Sequence, residues 1–526
     1  MKYSKRVLLP ILILLICLTI SWVIIKKYYL TDMVHARIEK SIDEHIENDF
    51  QFSFDDFKIN LISGKVKLNG VNLLLFNQTD TVGYFKGDIL IEVKSWRNII
   101  FDDEKFIRNI VLKEAEFYYA KDYPLIMKNK NGKDNQQMEI SNASVTGKLH
   151  LADKHTQQSG QLTTNFDIIA ALNYNSKHEF SVDKIIKQVI TFEVSKLHYY
   201  LPDGFHQLTI TEIAFTKFDD IALKQVTINP IDSKKTFSLK KKIASDFVSA
   251  SIDSIQLIGF DRQIDEHIFI DQIELFQPNI DVFKDKNYPE NKEYKAIMVD
   301  LLREFKTPVY IRTVEFNSMF IKYTEFVNQA KEAGALFFSE ANATISNITN
   351  VKDSLLLSRN MLIEAEAKFY GKGILKTSMR YDMLSNSGQF GVKGSLGPMD
   401  MTTINAMLSK LMPVKIKSGQ LDNLRFSFLG TSTHSEGEMQ FEYTELNIEL
   451  LEVDYWDSRF SRNIMSSIGN RLMRNSNPSN NGVFKIRKIK QDRNTTKSIF
   501  NYWWINLKSG FLSTLGVTVE KQKIKY

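Results

Sequence analysis

The side chains that most often carry chemistry are scattered along this chain. Its nine histidines run from His35 to His434 and form neither an H-E-x-x-H pair nor a close cluster, so the spacing of a zinc-binding helix is missing. The single cysteine, Cys17, lies inside an apolar N-terminal run. The body of the chain therefore has no thiol for a disulfide, an iron–sulfur cluster or a thiolate metal site. We predict no metal and no cofactor.

Motifs for dinucleotide binding and nucleophilic catalysis are also missing. Gly371-Lys372-Gly373 lacks the third glycine of a dinucleotide-binding loop, and the chain contains neither a P-loop nor a G-x-S-x-G nucleophile elbow. Acidic pairs such as Asp102-Asp103 and Asp219-Asp220 lie beside predicted strands, where charged turn residues explain them. We predict that the protein is not an enzyme.

The charge of the chain does not indicate a polyanionic partner. The net charge is +6 over 526 residues and is spread along the sequence, so we predict no nucleic-acid partner. With 43% hydrophobic and 25% charged residues, the composition is that of a folded protein. The length exceeds what one hydrophobic core usually supports, which predicts either several domains or one elongated, repetitive body.

Alternation of apolar and polar residues is the dominant pattern. From Phe52 to Phe76 the alternation has period two, which predicts strands with one apolar and one wet face. Ser63-Gly64 and Asn69-Gly70 predict tight turns, and hence three short antiparallel strands. Similar runs recur at Ile89 to Val93, Ile110 to Tyr119, Ile140 to Leu151, Gln161 to Leu172, Val189 to Tyr200, Leu208 to Phe215, Val248 to Phe283 and Val309 to Tyr323.

Helical periodicity is confined to a few segments. Ala36 to Asn48, Tyr294 to Phe305 and Thr402 to Leu411 carry apolar stripes at helical spacing. Because these helices are too few to cover so many strands, the sheet must curl on itself or hold an apolar ligand. The predicted fold class is mostly β: an elongated, curled antiparallel sheet, groove-like or taco-like, with a few short helices and one N-terminal transmembrane helix.

The N-terminal run from Val7 to Ile25 carries no charged residue and is long enough to cross a bilayer as a helix. A cleaved signal peptide is the alternative, but small residues at a cleavage site are missing. Basic residues flank the run on both sides, so charge alone leaves its orientation open. We expect Tyr28 and Tyr29 to lie at the headgroup boundary.

The segment from Phe390 to Leu451 contains a strand ending in glycine, a short helix, a proline, an I-x-S-G-x-L motif and an alternating strand. A Gly-x-Met-x-x-x-Tyr-x-x-Leu element follows at Gly437, Met439, Tyr443 and Leu446. This segment resembles the C-terminal region of AsmA-like proteins over about sixty residues. The N-terminal anchor and the alternating run that starts at Phe57 fit the same family in outline.

The resemblance implies a bacterial inner-membrane protein with a single pass, a cytoplasmic N-terminus and a body in the periplasm. Larger members of the family resemble bridge-like lipid-transfer proteins, in which a long β-groove carries acyl chains. The implied function is envelope lipid transport or lipid homeostasis, with membrane phospholipid and an outer-membrane or envelope protein as partners. The alternative is a structural or regulatory envelope protein that assists outer-membrane assembly through protein contacts.

The same interpretation divides the chain into four segments: residues 1-30, a cytoplasmic stub and transmembrane anchor; 31-200, an N-terminal helix and β-groove; 201-390, middle β-groove units; and 391-526, the AsmA-like C-terminal module with amphipathic helices. The candidate residues lining a lipid groove are Phe57, Ile59, Leu61, Val66, Leu68, Leu424, Phe426, Phe428, Met439 and Phe441.

Two amphipathic segments lie near the C-terminus. Trp456 to Leu472 has apolar residues at spacing four, and Ser498 to Leu515 has a second stripe with Ser498 as the N-cap. Such helices either close the end of the sheet or lie at a membrane surface. The candidate residues for a membrane interface are Tyr28, Tyr29, Trp503, Trp504 and Phe511.

Overall fold

The computed structural model of the chain describes residues 35–36, 38–40, 43, 49–60, 63–77, 80–95, 104–120, 137–152, 162–170, 174–175, 189–216, 220–260, 268–305, 307–327, 332–352, 354, 358–411, 414–451, 474–479 and 482–515. The chain divides into two compact units. The first unit comprises Met1–Gly204 and Thr211–Asp219, and the second comprises Phe205–Ile210 and Asp220–Tyr526. The four predicted segments stay a prediction.

The first unit is built on strands. They are β1 (Asp49–Ser53), β2 (Asp56–Asn60), β3 (Lys65–Asn77), β4 (Asp80–Val93), β5 (Glu104–Ala120), β6 (Gln137–Ala152), β7 (Leu162–Ala170), β8 (Tyr174–Asn175) and β9 (Val189–Tyr200). Strands β1 and β2 both pair with β3, and the order then runs β3, β4, β5, β6, β7, β9, with β8 beside β6. Residues 206–216 form β10 (His206–Thr216), which contributes to both units.

The second unit has more strands and most of the helices. Its strands are β11 (Ile221–Pro230), β12 (Asp246–Ile258), β13 (Ile268–Phe276), β14 (Asn279–Asp285), β15 (Val309–Phe326), β16 (Gly334–Thr349), β17 (Asn360–Phe369), β18 (Gly373–Asp382), β19 (Phe390–Leu396), β20 (Met399–Asp400), β21 (Val414–Gly430), β22 (His434–Leu450) and β23 (Ile486–Asp492). Its α-helices are α1 (Lys234–Lys241), α2 (Met298–Glu304), α3 (Asn405–Leu411) and α4 (Ile499–Leu515). A 3-10 turn, Met401–Ile404, precedes α3.

The prediction of a mostly β protein with a few short helices is confirmed, but the prediction of an antiparallel sheet is wrong. Among the described residues, β5 pairs in parallel with β6, β13 with β15, and β14 with β15. Period-two alternation is the same in parallel and antiparallel strands, and only the connection reveals the direction. Residues 121–136 separate β5 from β6, which is the length of a crossover and too long for a hairpin.

The predicted turn at Asn69-Gly70 is also wrong. The chain continues as one strand, β3, through Gly70, whose φ is 59° and whose position coincides with a shift of pairing register between Leu68 and Val71. Glycine supplies a positive φ to a turn and to a β-bulge alike, so the dipeptide does not distinguish them. The Ser63-Gly64 turn between β2 and β3 lies where it was predicted.

Bulges of this kind occur at matching levels on neighbouring strands of the first unit. Gly87 of β4 has a φ of 151° and Glu114 of β5 a φ of 51°, and the register between these strands shifts between Lys86 and Asp88. In the second unit, Ser318 of β15 and Glu340 of β16 have positive φ values, again beside register shifts. Each bulge bends its strand, so aligned bulges bend neighbouring strands together.

Gly147 of β6 lies against the backbone of β5. A Cβ added there would lie 1.9 Å from the carbonyl oxygen of Ala115 on β5. We therefore expect Gly147→Val to lower the free energy of unfolding by about 1–3 kcal/mol through overpacking. Chemical denaturation monitored by far-UV circular dichroism measures this change. Lys148→Val, at an exposed neighbouring position, is the control, and equal stability of the two variants would contradict the expectation.

Local sequence signals explain the helices of the second unit. Ser233 caps α1 by accepting a hydrogen bond from the Thr236 N–H, and Phe237 of α1 packs its ring against Phe205 and Phe247. The Ser498 hydroxyl accepts from the Asn501 N–H at the start of α4, as predicted for an N-cap.

No helix among the described residues is long and apolar enough to cross a membrane. The predicted anchor from Val7 to Ile25 lies outside the described residues.

Candidate functional site

One face of the first unit carries rows of apolar side chains that run across the strands. Paired residues of adjacent strands point to the same face, so the register defines each row. Gly87, at a register shift, is assigned to its row by its close approach to Ala115. We call the following four rows the first apolar face. They are Val66, Ile91, Ile110 and Ala143; Leu68, Ile89, Leu112, Val145, Ile168 and Phe192; Val71, Gly87, Ala115, Gly147, Phe166 and Val194; and Leu73, Phe85, Phe117 and Leu149.

The third row differs from its neighbours in side-chain size. On three successive strands it carries only Gly87, Ala115 and Gly147, whereas large aliphatic and aromatic side chains stand in the rows on either side. The third row therefore forms a depression between the larger side chains of the second and fourth rows. At β7 the depression meets Phe166, whose ring centroid lies 5.9 Å from that of Phe117.

The first apolar face is buried at one end and half-buried elsewhere. Phe52, Phe57, Leu68 and Val71 form a packed cluster, against which Ile38 and several residues of β1 to β4 lie. Side chains of the same rows on β5, β6 and β7 lie outside this cluster, and most of them are half-buried. A packed interior would bury such side chains almost completely. The described residues thus leave a continuous apolar surface that is open in part to solvent.

The opposite face of the same strands carries charged side chains. Lys65 pairs with Glu92 at 2.7 Å and Lys67 with Asp88 at 3.0 Å. The Gly70 N–H donates to the Asp88 carboxylate at 3.0 Å, and this bond, together with Lys67, holds the pKa of Asp88 below its usual value. The ion pairs stand on this face, which Leu90 and Val111 share, whereas the four rows of the first apolar face carry no charged side chain, so the sheet is amphipathic.

Of the groove candidates in the first unit, three lie together. Phe57, Val66 and Leu68 belong to the packed cluster and to its immediate surroundings. Ile59 is 37% exposed at its position on β2. Leu61 lies outside the described residues.

The five candidates near the C-terminus lie in a packed interior. Leu424, Phe426 and Phe428 of β21 and Met439 and Phe441 of β22 are between 0% and 7% exposed. Helix α4 covers Met439 and Phe441 of β22. A Cβ at Gly510 of this helix would come within 2.7 Å of Met439, and the Phe441 and Phe511 ring centroids are 5.1 Å apart.

The residues predicted for a membrane interface are divided between two environments. Trp503 and Phe511 pack against the core of the second unit, whereas Trp504 is 46% exposed. Phe500, one turn before Trp504, is 69% exposed. Tyr28 and Tyr29 lie outside the described residues, as does the amphipathic segment from Trp456 to Leu472. Helix α4 therefore covers the core with one side and exposes two aromatic side chains on the other.

The candidate list from the sequence missed most of the first apolar face. Ile89, Leu112, Phe117, Leu149 and Phe166 were part of predicted strands. Leu112 and Phe117 are five residues apart, however, and share a face only because of the bulge at Glu114, which alternation does not predict. The register that aligns them across strands is a long-range property, because it depends on connections whose direction the alternation does not reveal.

Comparison with known proteins leaves the chain without an assigned relative. No family model, no curated protein and no solved structure matches it. The AsmA-like assignment therefore stays a prediction. Among the described residues, no group of three or more His, Cys, Asp or Glu side chains is placed to hold a metal ion.

Proposed function

We propose that this protein binds the acyl chains of phospholipids on the first apolar face, in lipid transport or lipid homeostasis of a bacterial envelope. The observation that supports the proposal is the half-buried state of the aliphatic and aromatic rows on β5, β6 and β7. Apolar rows that cross several strands and stay partly exposed to solvent favour a partner that covers them.

The chemistry of an acyl chain fits this face. The rows supply aliphatic and aromatic contacts, and the line of Gly87, Ala115 and Gly147 leaves space between them. Each methylene group that leaves water for such a surface contributes about 0.8 kcal/mol, so a few contacts per strand suffice for stable binding. Binding of an acyl chain requires no charged or hydrogen-bonding side chain on this face.

The wider features expected from the sequence belong to the same proposal. They are an anchor at Val7 to Ile25 in the inner membrane, a periplasmic body, a curled groove and a partner at the outer membrane. They depend on the resemblance to AsmA-like proteins and on the amphipathic sheet. Cell fractionation and protease accessibility test the anchor and the periplasmic location.

The alternative proposal, a structural or regulatory envelope protein acting through protein contacts, has support from the second unit. There α4 packs against Phe390 of β19 and against Met439 and Phe441 of β22, and Tyr443 and Met439 are 0% exposed. A filled interior of this kind leaves no room for an acyl chain in that part of the unit. The two proposals therefore differ in the role that they give to the first unit.

Lipid analysis of the purified full-length protein tests the leading proposal. We expect phospholipid to co-purify, and the variant Leu112→Asp/Leu149→Asp to carry about tenfold less, since two carboxylates on the face oppose apolar binding. Val111→Asp/Lys148→Asp places the same residues on the opposite face of the same strands and should retain its lipid. Mass spectrometry of extracted lipid gives the ratio.

A third variant tests the same face without a charged residue, in case the introduced aspartates unfold the protein. Ala143→Trp fills the face with apolar bulk at a half-buried position of β6 and should also reduce bound lipid. The proposal is wrong if the wild-type protein carries no phospholipid and takes up no fluorescent phospholipid from vesicles. It is also wrong if the two faces respond equally to the paired substitutions.

A further inference from the structure

A second concave surface lies on the polar face of the second unit. It is a trough of about 900 Å³ that crosses six strands, from β15 to β21. The register shows which side chains point into it: paired residues such as Glu364 and Ser378, or Lys393 and Ser427, share this face. The residues between them, among them Phe426, point to the opposite side and into the core.

Charges are segregated along the trough. The carboxylates Glu315, Glu364 and Glu366 stand on its first three strands, and the cations Lys376, Lys393 and Arg425 stand on its last three. Glu366 and Lys376 meet at the boundary in an ion pair of 2.9 Å. The trough thus has an acidic half on β15 to β17 and a basic half on β18 to β21.

The basic half contains cations and hydroxyl groups without partners. In the part of the chain that the structure describes, the side chains of Lys393 and Arg425 have neither an ion pair nor a hydrogen bond, although both are exposed on the trough. The hydroxyls of Ser378, Ser395 and Ser427 likewise have no described hydrogen-bond partner. Elsewhere on this sheet lysines do pair with carboxylates, as Lys490 does with Glu436 at 2.6 Å.

The spacing of these groups suits a single tetrahedral anion. Lys393 lies opposite Ser427, and Ser395 lies opposite Arg425, on the adjacent strands β19 and β21. Neighbouring strands are roughly 5 Å apart and alternate residues along one strand roughly 7 Å apart, so the four side chains surround an area about the size of a phosphoryl group. Arginine and lysine with hydroxyl donors are the groups that bind phosphoryl oxygens.

Charges around the basic half limit the kind of ligand. On the next strand, Glu438 lies opposite both Ser427 and Lys488, so a lysine accompanies this carboxylate. On the other side, Glu364 faces the trough beside Ser378. A polyanion that continued along the trough would meet the carboxylates of the acidic half, which would repel it. The arrangement favours a ligand with one phosphoryl group over a nucleic-acid strand.

We propose that the basic half of this trough binds a phosphoryl group, with Lys393 and Arg425 as its cationic contacts and Ser378, Ser395 and Ser427 as hydroxyl donors. The group belongs either to a soluble phosphate ester or to a phospholipid headgroup. The site lies on the polar face of the second unit, so it stands independently of acyl-chain binding by the first apolar face.

Binding measurements on the full-length protein test the site in two arms. The soluble arm uses isothermal titration with glycerol 3-phosphate, and the lipid arm uses co-flotation with phosphatidylcholine vesicles that contain phosphatidic acid. Lys393→Gln/Arg425→Gln removes both cations at exposed positions, and we expect the affinity to fall by roughly tenfold or more. The charge-matched control, Lys372→Gln/Lys415→Gln, removes two exposed lysines of the same unit outside the trough and should bind as the wild type does.

A second variant keeps both cations in place. Ser395→Glu adds a carboxylate beside Arg425 and should reduce binding as strongly, which decides the question if the double variant is unstable. Loss in the soluble arm identifies a soluble ester as the ligand class, and loss in the lipid arm alone identifies a headgroup. The proposal is overturned if the wild type binds neither probe, or if the trough variants and the control bind equally in both arms.

Discussion

A protein shortened after Asn494 is expected to aggregate rather than to remain a folded monomer. The truncation removes α4, on which Tyr502, Asn506 and Gly510 are buried, and uncovers Phe390, Met439 and Phe441 of the sheet. Each large apolar side chain returned to water costs about 1.5–3 kcal/mol, so the loss is comparable with the whole stability of a domain. Size-exclusion chromatography and binding of a hydrophobic dye measure the outcome.

The exposed side of α4 provides the control for this truncation. Phe500→Ala/Trp504→Ala changes two side chains that are 69% and 46% exposed, so the protein should remain monomeric. If α4 also meets a membrane, this variant should lose liposome binding while its core stays folded, because interfacial aromatic residues supply such affinity. A truncated protein that stays monomeric and fails to bind liposomes would show instead that α4 is a peripheral membrane helix.

Phe441→Asp is expected to unfold the C-terminal part of the second unit. Phe441 is 3% exposed and lies between the rings of Tyr443, at 4.6 Å, and Phe511, at 5.1 Å. A carboxylate among these rings has no described cationic partner, and an unpaired buried charge costs on the order of 4 kcal/mol or more. Thermal denaturation should show the loss of the transition that belongs to this part of the protein.

Thr444→Asp is the matched control, because Thr444 lies on the same strand at an exposed position. Its stability should stay within about 0.5 kcal/mol of the wild type, as is usual for surface substitutions. A folded Phe441→Asp protein that had merely lost bound lipid would mean that this interior is an open groove. Retention of the wild-type melting temperature by both variants would require the same conclusion.

Local pattern predicted the elements of this fold better than their connections. The alternation between Phe52 and Phe76 predicted strands, and the stripe behind Ser498 predicted α4 with the correct first residue. The parallel pairing of β5 with β6 was missed, because alternation carries no information on strand direction. The bulge at Gly70 was mistaken for a turn, since both use a glycine with positive φ.

The candidate site was less predictable than the fold. Alternation identifies the apolar residues of one strand, but a packed interior and a surface open to ligand use the same residue types. Met439 and Leu112 both stand on apolar faces, yet α4 covers only Met439. Which face a distant helix covers is decided by tertiary packing. The unpaired state of Lys393 and Arg425 is equally invisible in the sequence, because it depends on the neighbours that the register supplies.

The aligned bulges have a consequence for how such a chain tolerates insertions and deletions during evolution. Gly87 of β4 and Glu114 of β5 face one another across a register shift. A residue gained or lost within one of these strands would move its bulge out of line with the bulge of the neighbouring strand. It would also turn every later side chain of that strand to the other face. A strand pair gained or lost as a whole preserves the alignment. Homologous chains are therefore expected to vary in length by whole hairpins and at the turns, and to keep constant the number of residues between each bulge and the end of its strand.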